Sequence, residues 1–187
     1  TYGNVGDYGP GDAVHYGFIT TLGGVIEKMD NDNPEFVVPE KLVALYKNKD
    51  YGPYGNADKT LSVCFISNND ITGGNSGSPV INDKGHLIGC AFDGNWEAMS
   101  GDIAFEHDLQ RTISVDVRYI LFIIDKFAGA NHIINELTLV ANNNTKSQKL
   151  PTYREAWNSN KMGVKERYPN KRAFIADAKL WWAKQSN

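Results

Sequence analysis

The chain has 187 residues, of which 41% are hydrophobic and 22% are charged, and its formal net charge is −3 at pH 7. This length and composition predict one domain with a hydrophobic core and an appendage. No run of about 18 apolar residues occurs, so we expect no membrane span, and the two cysteines allow either one disulfide or two buried free thiols.

The first part of the chain predicts short elements separated by turn residues. Residues Val14–Leu22 are rich in β-branched and aromatic side chains and predict a strand, with Gly24–Lys28 as its hairpin partner. Pro39 predicts the start of a short helix that ends near Asn48, because a proline at an early helical position needs no N–H partner. Residues 50–58 predict a loop.

A serine framed by glycines follows the next predicted strand, Ser62–Ser67. Residues 73–79 read Gly-Gly-Asn-Ser-Gly-Ser-Pro, and glycines on both sides let the chain turn tightly and leave the Ser76 hydroxyl exposed at a bend. The backbone N–H groups of Gly74 and Ser76 can then point at one spot, where an oxyanion would form. A plain turn between two strands is the alternative, because these residue types dominate turns.

Beyond the serine, the pattern predicts three more strands: Pro79–Ile81, His86–Phe92 and Thr112–Val115. A helical period then begins, and it predicts a helix over residues 117–128 with Asp116 as its N-cap and Gly129 as its stop. Short strands that end in a helix are typical of the second barrel of a chymotrypsin-like peptidase with its closing helix. The predicted fold class is therefore mainly β with C-terminal helices.

The charge distribution predicts a boundary near residue 141. Residues 1–141 contain 9 Lys and Arg against 19 Asp and Glu, whereas residues 142–187 contain 10 against 3. The second segment opens with a polar tract that resembles a linker, and aromatic residues are interleaved with its lysines. We therefore expect a basic helical tail, with a last helix over about Lys171–Lys184, that packs on another surface rather than binding nucleic acid. Its role stays open.

Several longer segments carry a family resemblance. They resemble the bacterial dipeptidyl-peptidase VII and XI family of serine exopeptidases over about residues 1–140. The matching segments are Thr1–Val5, Thr20–Lys28, Asn69–Val80, Gly89–Asp102, Arg111–Tyr119 and Phe122–Gly129.

The resemblance implies a double β-barrel peptidase with a helical domain inserted between the barrels and a Ser-His-Asp triad. It implies release of dipeptides from the free N-terminus of oligopeptides, in the periplasm or at the surface of a Gram-negative bacterium, by a full-length protein that is a homodimer. By position, Ser76 is the nucleophile, and Gly74 and Ser76 supply the oxyanion-hole N–H groups. Asp93 holds the α-ammonium of the substrate through charge-assisted hydrogen bonds. Without the resemblance, Asp93 would read as a turn residue.

The resemblance also assigns a specificity position, Gly94. The branch of the family that prefers acidic residues before the cut carries an arginine at the matching place. A glycine there offers no partner to a substrate carboxylate, so the resemblance favours a hydrophobic residue at the second position of the substrate.

The base of the triad has no candidate in this chain. The four histidines, His15, His86, His107 and His132, lie in contexts that favour surface or capping roles. A serine hydroxyl needs such a base, usually a histidine oriented by a carboxylate. We therefore expect a C-terminal part of a peptidase that carries the nucleophile without the histidine and aspartate, and is inactive or nearly so in isolation.

Two other classes stay open at this point. One is a chymotrypsin-like endopeptidase, which needs no acid for a free amine. The other is a non-catalytic interaction module whose basic, tryptophan-bearing tail binds a partner. No cofactor or metal is expected, because no His, Cys, Asp or Glu cluster has ligand spacing, and no phosphate loop or nucleic-acid fingerprint occurs.

Overall fold

A computed structural model describes residues 1–101 and 103–140 of the chain. Contacts group residues Thr1–Leu139 into one compact unit, separate from Val140–Asn187. The predicted basic tail and its helices at 142–187 lie outside the described residues, and the predicted boundary at 141 stays a prediction. Within the described ranges, no helix has both the length and the apolar character needed to cross a bilayer.

Seven strands and four α-helices form the described unit. The strands are β1 (Tyr8–Gly11), β2 (Val14–Tyr16), β3 (Ile19–Thr21), β4 (Ser62–Ser67), β5 (Pro79–Ile81), β6 (Leu87–Gly94) and β7 (Thr112–Asp116). The α-helices are α1 (Leu22–Glu27), α2 (Glu40–Lys47), α3 (Val117–Phe122) and α4 (Asn131–Glu136). Short 3₁₀ turns occupy Gly52–Tyr54 and Trp96–Ser100, and a π-helical turn, Ile123–Phe127, continues α3.

Five of the strands form one antiparallel sheet in the order β3-β4-β7-β6-β5, and β1 pairs with β2 in a separate hairpin. Strand β7 is central, because it pairs with β4 on one side and with β6 on the other. The sheet is open within the described residues, with β3 and β5 as its edges. The mainly β fold is confirmed, whereas the closed second barrel stays a prediction.

The main core lies between the helices and one end of the sheet. Its buried members come from α1, α2, the first 3₁₀ turn with the residue before it, the residue just before β4, and α3: Leu22, Leu42, Tyr51, Tyr54, Leu61 and Phe122. Phe122 and Leu22 are fully buried, and the ring of Tyr51 meets Phe122 edge-on with 6.1 Å between centroids. Burial of these aromatic and aliphatic side chains holds the helices against the sheet.

Most predicted elements are confirmed, one is divided and one is wrong. The predicted strand Val14–Leu22 forms two strands, β2 and β3, in separate sheets, and Leu22 begins α1. Between the two strands, the Phe18 N–H donates to the Asp7 carboxylate instead of to a neighbouring strand.

Strands β4, β5, β6 and β7 fall where the sequence places them, and the Asp116 carboxylate caps α3 by accepting from the Arg118 N–H at 2.9 Å. Residues Gly24–Lys28 do not pair as a hairpin strand but belong to α1. Leu22 explains the difference, because its side chain enters the core while its N–H donates to the Leu61 carbonyl, which turns the chain out of β3.

The two cysteines are free thiols. Cys64 on β4 and Cys90 on β6 both face Val115 of β7, one from each side. Two strand spacings separate them, about 9–10 Å. A disulfide needs Cα atoms within about 7 Å, so this geometry excludes a bridge between them.

Candidate active site

The glycine-framed turn presents Ser76 at the surface beside strand β6. Gly74 and Gly77 have φ values of +97° and +90°, in the region that only glycine adopts readily, so both positions require glycine. The N–H of Gly77 donates to the Ala91 carbonyl at 2.8 Å, which fixes the turn to the strand. The Ser76 Oγ donates to the Phe92 carbonyl at 3.1 Å.

The N–H groups of this turn divide into two sets. Those of Asn75, Gly77 and Ser78 donate to backbone carbonyls. Those of Gly74 and Ser76 have no acceptor among the described residues. Exposed N–H groups without an internal acceptor are available to a developing oxyanion, which is the role that the sequence predicts for this pair.

Strand β6 has one free edge beside the serine. Its pairing with β5 ends at Pro79 opposite Cys90. Backbone hydrogen bonds from the serine turn then reach β6 only as far as Ala91. Its pairing with β7 continues to Gly94, with one register shift between Ala91 and Asp93. Phe92 is thus the extra residue of a β-bulge, a device common next to active sites. From Phe92 to Gly94, no described strand covers the edge that faces the turn.

Asp93 and Gly94 lie on this open stretch. One carboxylate oxygen of Asp93, Oδ1, accepts from the Gly94 N–H at 2.8 Å. Its other oxygen has no partner among the described residues, and the side chain is exposed, so it can accept hydrogen bonds from a ligand. Asp93 is the residue after Phe92, whose carbonyl accepts from the Ser76 Oγ. The carboxylate is therefore carried by the strand residue next to the serine contact.

The β6–β7 loop (residues 95–111) closes against the same stretch. Asn95 ties its two ends together: its Nδ2 donates to the Leu109 carbonyl at 2.8 Å, and its Oδ1 accepts from the Arg111 N–H at 2.8 Å. Its Nδ2 also donates to the Glu97 carboxylate at 2.8 Å. The loop exposes large apolar side chains, with Trp96 85% exposed.

A small pocket opens between this loop and the segment before the serine turn. It is lined by residues 69–71, by Ala98 and Phe105, and by residues 110–112. Arg111 lines this pocket and is only 8% exposed, and its terminal guanidinium nitrogens donate to the carbonyls of Asp7, His107 and Gln110. Its Nε and the Gln110 Oε1 are buried and have no hydrogen-bond partner within residues 1–101 and 103–140.

The β1–β2 hairpin reaches the loop from the other side. The Tyr8 hydroxyl donates to the Glu97 carboxylate at 3.1 Å, and the Arg111 guanidinium lies 5.3 Å from the centre of the Tyr8 ring. Burial is the largest of the effects that raise the pKa of the Tyr8 hydroxyl. The phenol therefore stays a donor to Glu97 at neutral pH, which helps to fix the loop.

The structure brings Ser76, Gly74, Asp93 and Gly94 to one region, but it brings no histidine to Ser76. The His15 Nε2 contacts the Asp7 carboxylate at 3.0 Å on the hairpin, and the His107 ring meets Phe105. Among the described residues, the Oγ of Ser76 has only the Phe92 carbonyl as a partner. Asn95, Ala98 and Arg111 lie within the segments that carry the resemblance, but their contacts depend on the loop fold and were not predicted.

Comparison with known proteins identifies the family of this chain. Residues 1–139 match the peptidase S46 family, and the chain belongs to that family. It is 61% identical over 140 residues to Dipeptidyl-peptidase 7 of Phocaeicola vulgatus, which covers 75% of this chain and 19% of the relative. It is 54% identical over 140 residues to the Asp/Glu-specific dipeptidyl-peptidase of Flavobacterium psychrophilum, with 75% and 20% covered. These matches confirm the family resemblance.

A solved structure supports the fold. The crystal structure of Porphyromonas endodontalis DPP11 in complex with dipeptide Arg-Glu matches with a TM-score of 0.72 and 52% identity, over 73% of this chain and 20% of that chain. The chain thus spans about a fifth of the length of the relatives it matches.

Proposed function

We propose that this chain is the nucleophile-bearing segment of a serine dipeptidyl peptidase that releases dipeptides from the free N-terminus of oligopeptides. The observation that carries the proposal is the contact of the Ser76 Oγ with the Phe92 carbonyl, at the point where β6 acquires a free edge. An extended peptide can pair with such an edge through backbone hydrogen bonds. It would then pass the serine hydroxyl, with the free N–H groups of Gly74 and Ser76 beside it.

The histidine and aspartate of the triad come, in this proposal, from a part of the protein outside this chain. The support is that no histidine of the described residues contacts Ser76. A serine without a base keeps only the oxyanion donors and substrate binding, so the isolated chain is close to inactive.

A fluorophosphonate probe tests the nucleophile. We expect rapid labelling of the full-length protein, loss of labelling in Ser76→Ala, and little labelling of the isolated chain. Ser78→Ala is the matched control, because Ser78 lies in the same turn but is held through its backbone N–H and carbonyl. Rapid labelling of the isolated chain that His15→Ala abolishes would show that His15 is the base and that the base lies within this segment.

Asp93 carries the exopeptidase part of the proposal. Its free carboxylate oxygen can accept hydrogen bonds from the α-ammonium of a peptide, and charge-assisted bonds contribute about 1.5–3 kcal/mol each. We expect Asp93→Asn to lower kcat/KM for peptides with a free amine by about 10–100-fold. Equal cleavage of peptides with a blocked N-terminus by the unmodified protein would instead support an endopeptidase.

Because position 94 is a glycine, we propose that the substrate has a hydrophobic residue before the cut. The matched relatives include both the name Dipeptidyl-peptidase 7 and the name Asp/Glu-specific dipeptidyl-peptidase, so the names leave both preferences in view. Position 94 offers no cation to a substrate carboxylate. The Arg111 guanidinium lines the nearby pocket, but its terminal nitrogens are already bonded to carbonyls. We expect kcat/KM to be higher for an apolar than for an acidic second residue, and the reverse order would contradict this part.

For the full-length protein, we also propose a homodimer in the periplasm or at the surface of a Gram-negative bacterium, as the family resemblance implies. Cell fractionation and light scattering of the purified protein test the two statements separately.

A further inference from the structure

Ala98 stands directly against Gly94. A Cβ built with ideal geometry on Gly94 would lie 2.8 Å from the Cβ of Ala98, a distance shorter than such atoms adopt in proteins. The next nearest atom, the Arg111 carbonyl oxygen, would be 3.8 Å away, which is an ordinary contact. Among the described residues, Ala98 is therefore the one that a Cβ at position 94 would approach too closely.

Ala98 cannot simply move aside. Its N–H donates to the Asn95 carbonyl at 3.0 Å, and the Asn95 N–H donates to the Arg111 carbonyl at 2.9 Å. The Asn95 amide then holds the other end of the loop at Leu109. A shift of Ala98 would strain the hydrogen bond to Asn95 and, through Asn95, those to Arg111 and Leu109. The steric limit at Gly94 is therefore a fixed feature of the loop.

Ala98 also lines the pocket. Its methyl group shares the wall with Ile71 and Phe105, and residue 71 leads into the serine turn. A side chain at position 98 therefore affects two things: which residues fit at position 94, and how much room the pocket leaves for a ligand.

We propose that residue 98 is a second specificity-determining position, coupled to residue 94. This inference rests on the proposed function, because it concerns the side chain that the same site accepts. With Ala98 in place, position 94 must be glycine and the wall is apolar. An arginine at position 94 becomes compatible with the loop only when residue 98 is reduced to glycine.

Four full-length proteins test the coupling: the unmodified protein, Gly94→Arg, Ala98→Gly and the double variant. Each is assayed with two free-amine dipeptidyl substrates that differ only in the second residue, one apolar and one acidic. We expect the double variant to exceed Gly94→Arg by at least about 10-fold in kcat/KM for the acidic substrate, since a charge-assisted pair forms only when the arginine is accommodated. Ala98→Gly alone should stay well below the double variant on the acidic substrate, because it adds no cation to pair with the substrate carboxylate.

Fluorophosphonate labelling of Ser76 in each protein separates the outcomes. If the unmodified protein is not labelled and cleaves neither substrate, the proposed function fails, and this inference fails with it. If the unmodified protein and Gly94→Arg are labelled equally fast and Gly94→Arg alone matches the double variant on the acidic substrate, only the inference is overturned.

A second substitution tests the inference even if the Gly94→Arg protein does not fold. Ala98→Val adds two methyl groups to the pocket wall, so we expect kcat/KM for a large apolar second residue to fall by about 10–200-fold relative to a small one. Ala104→Val is the matched control, because Ala104 lies on the same loop but is exposed and does not line the pocket. Equal effects of the two valines on that ratio would overturn the inference.

Discussion

Replacing Asn95 with aspartate should release the β6–β7 loop more than replacing it with alanine. The Asn95 Nδ2 donates to Glu97 and to the Leu109 carbonyl, and its Oδ1 accepts from the Arg111 N–H, all at 2.8 Å. Asn95→Asp keeps the acceptor for Arg111. It also replaces the donor with an oxygen that faces a carboxylate and a carbonyl.

The magnitudes follow from these three contacts. Asn95→Ala removes all three hydrogen bonds, each of which contributes about 0.5–1.5 kcal/mol, and water compensates part of the loss at this half-buried site. We expect loop opening to become easier by about 2 kcal/mol. Asn95→Asp loses two bonds and adds repulsion from Glu97, which near a protein surface is about 1–4 kcal/mol for charges 4 Å apart. We expect about 3 kcal/mol for aspartate.

Hydrogen exchange of the peptides that span residues 95–111 measures this local opening in the intact protein. Because about 1.4 kcal/mol is a factor of ten, we expect exchange about 30-fold faster in Asn95→Ala and at least about 100-fold faster in Asn95→Asp at neutral pH. At about pH 4, after correction for intrinsic rates, the aspartate variant should recover in part, because protonation of the introduced carboxyl restores a donor.

The Asn82→Asp variant is the matched control. The Oδ1 of Asn82 accepts from the Lys84 and His86 N–H groups in the β5–β6 turn, and its amide nitrogen has no partner among the described residues. Aspartate serves the same acceptor role there, so exchange should not change. If Asn95→Asp is better protected than Asn95→Ala at neutral pH, the amide does not donate to Glu97 and Leu109, and the reasoning is refuted.

Two further predictions concern the scaffold. A Cβ on Gly89 would lie 2.6 Å from the Phe65 ring and 2.7 Å from the Val115 carbonyl. Gly89→Ala should therefore lower the free energy of unfolding, measured by urea titration, by about 1–3 kcal/mol. An unchanged unfolding midpoint would contradict the packing of β6 on β7. The Tyr54 hydroxyl donates to Asp125 at 3.0 Å, and burial raises its pKa to about 12. The pKa of Tyr54 in the folded state lies above the unfolded value of about 10. The neutral hydroxyl therefore contributes its full share of the free energy of unfolding below about pH 10, and this share is lost as the pH rises toward about 12. Over that interval, we therefore expect the free energy of unfolding to fall by about 3 kcal/mol more in the unmodified protein than in Tyr54→Phe. Equal falls in the two proteins would show that the pKa of Tyr54 does not change on folding.

The strands of the sheet could be predicted because their local pattern and their tertiary environment agree. Ser62–Ser67 and Thr112–Asp116 are short β-branched runs that end at turn residues or at a helix cap, and they pair with each other in the structure. The strand predicted at Gly24–Lys28 was wrong because the β-branched pair Val25 and Ile26 favours a strand locally, and the glycines at 23 and 24 favour a hairpin turn before it. The burial of Leu22 and the packing of Val25 against the core decide for a helix, and neither contact is visible in a short sequence window.

The candidate site divides in the same way. Ser76 and Gly74 follow from turn chemistry, because positive φ values at a serine turn require glycine, and the structure has them. Asp93 needed the family resemblance, since its local sequence equally favours a turn. Ala98 could not be predicted at all, because its contact with Gly94 exists only after the loop closes on Asn95.

Under the proposed function, the arrangement of Asp93 and Gly94 would let one segment serve two specificities. Relatives that carry the two different names are 61% and 54% identical to this chain over 140 residues, so overall similarity separates them only weakly. Asp93 and Gly94 pair with successive residues of β7, Ile113 and Thr112. Successive residues of a strand point to opposite faces, so the side chain at position 94 can change while the carboxylate at 93 keeps its direction. In the proposed function, recognition of the amine is thereby independent of recognition of the side chain, and the steric limit that we propose for the second lies in the loop, at Ala98.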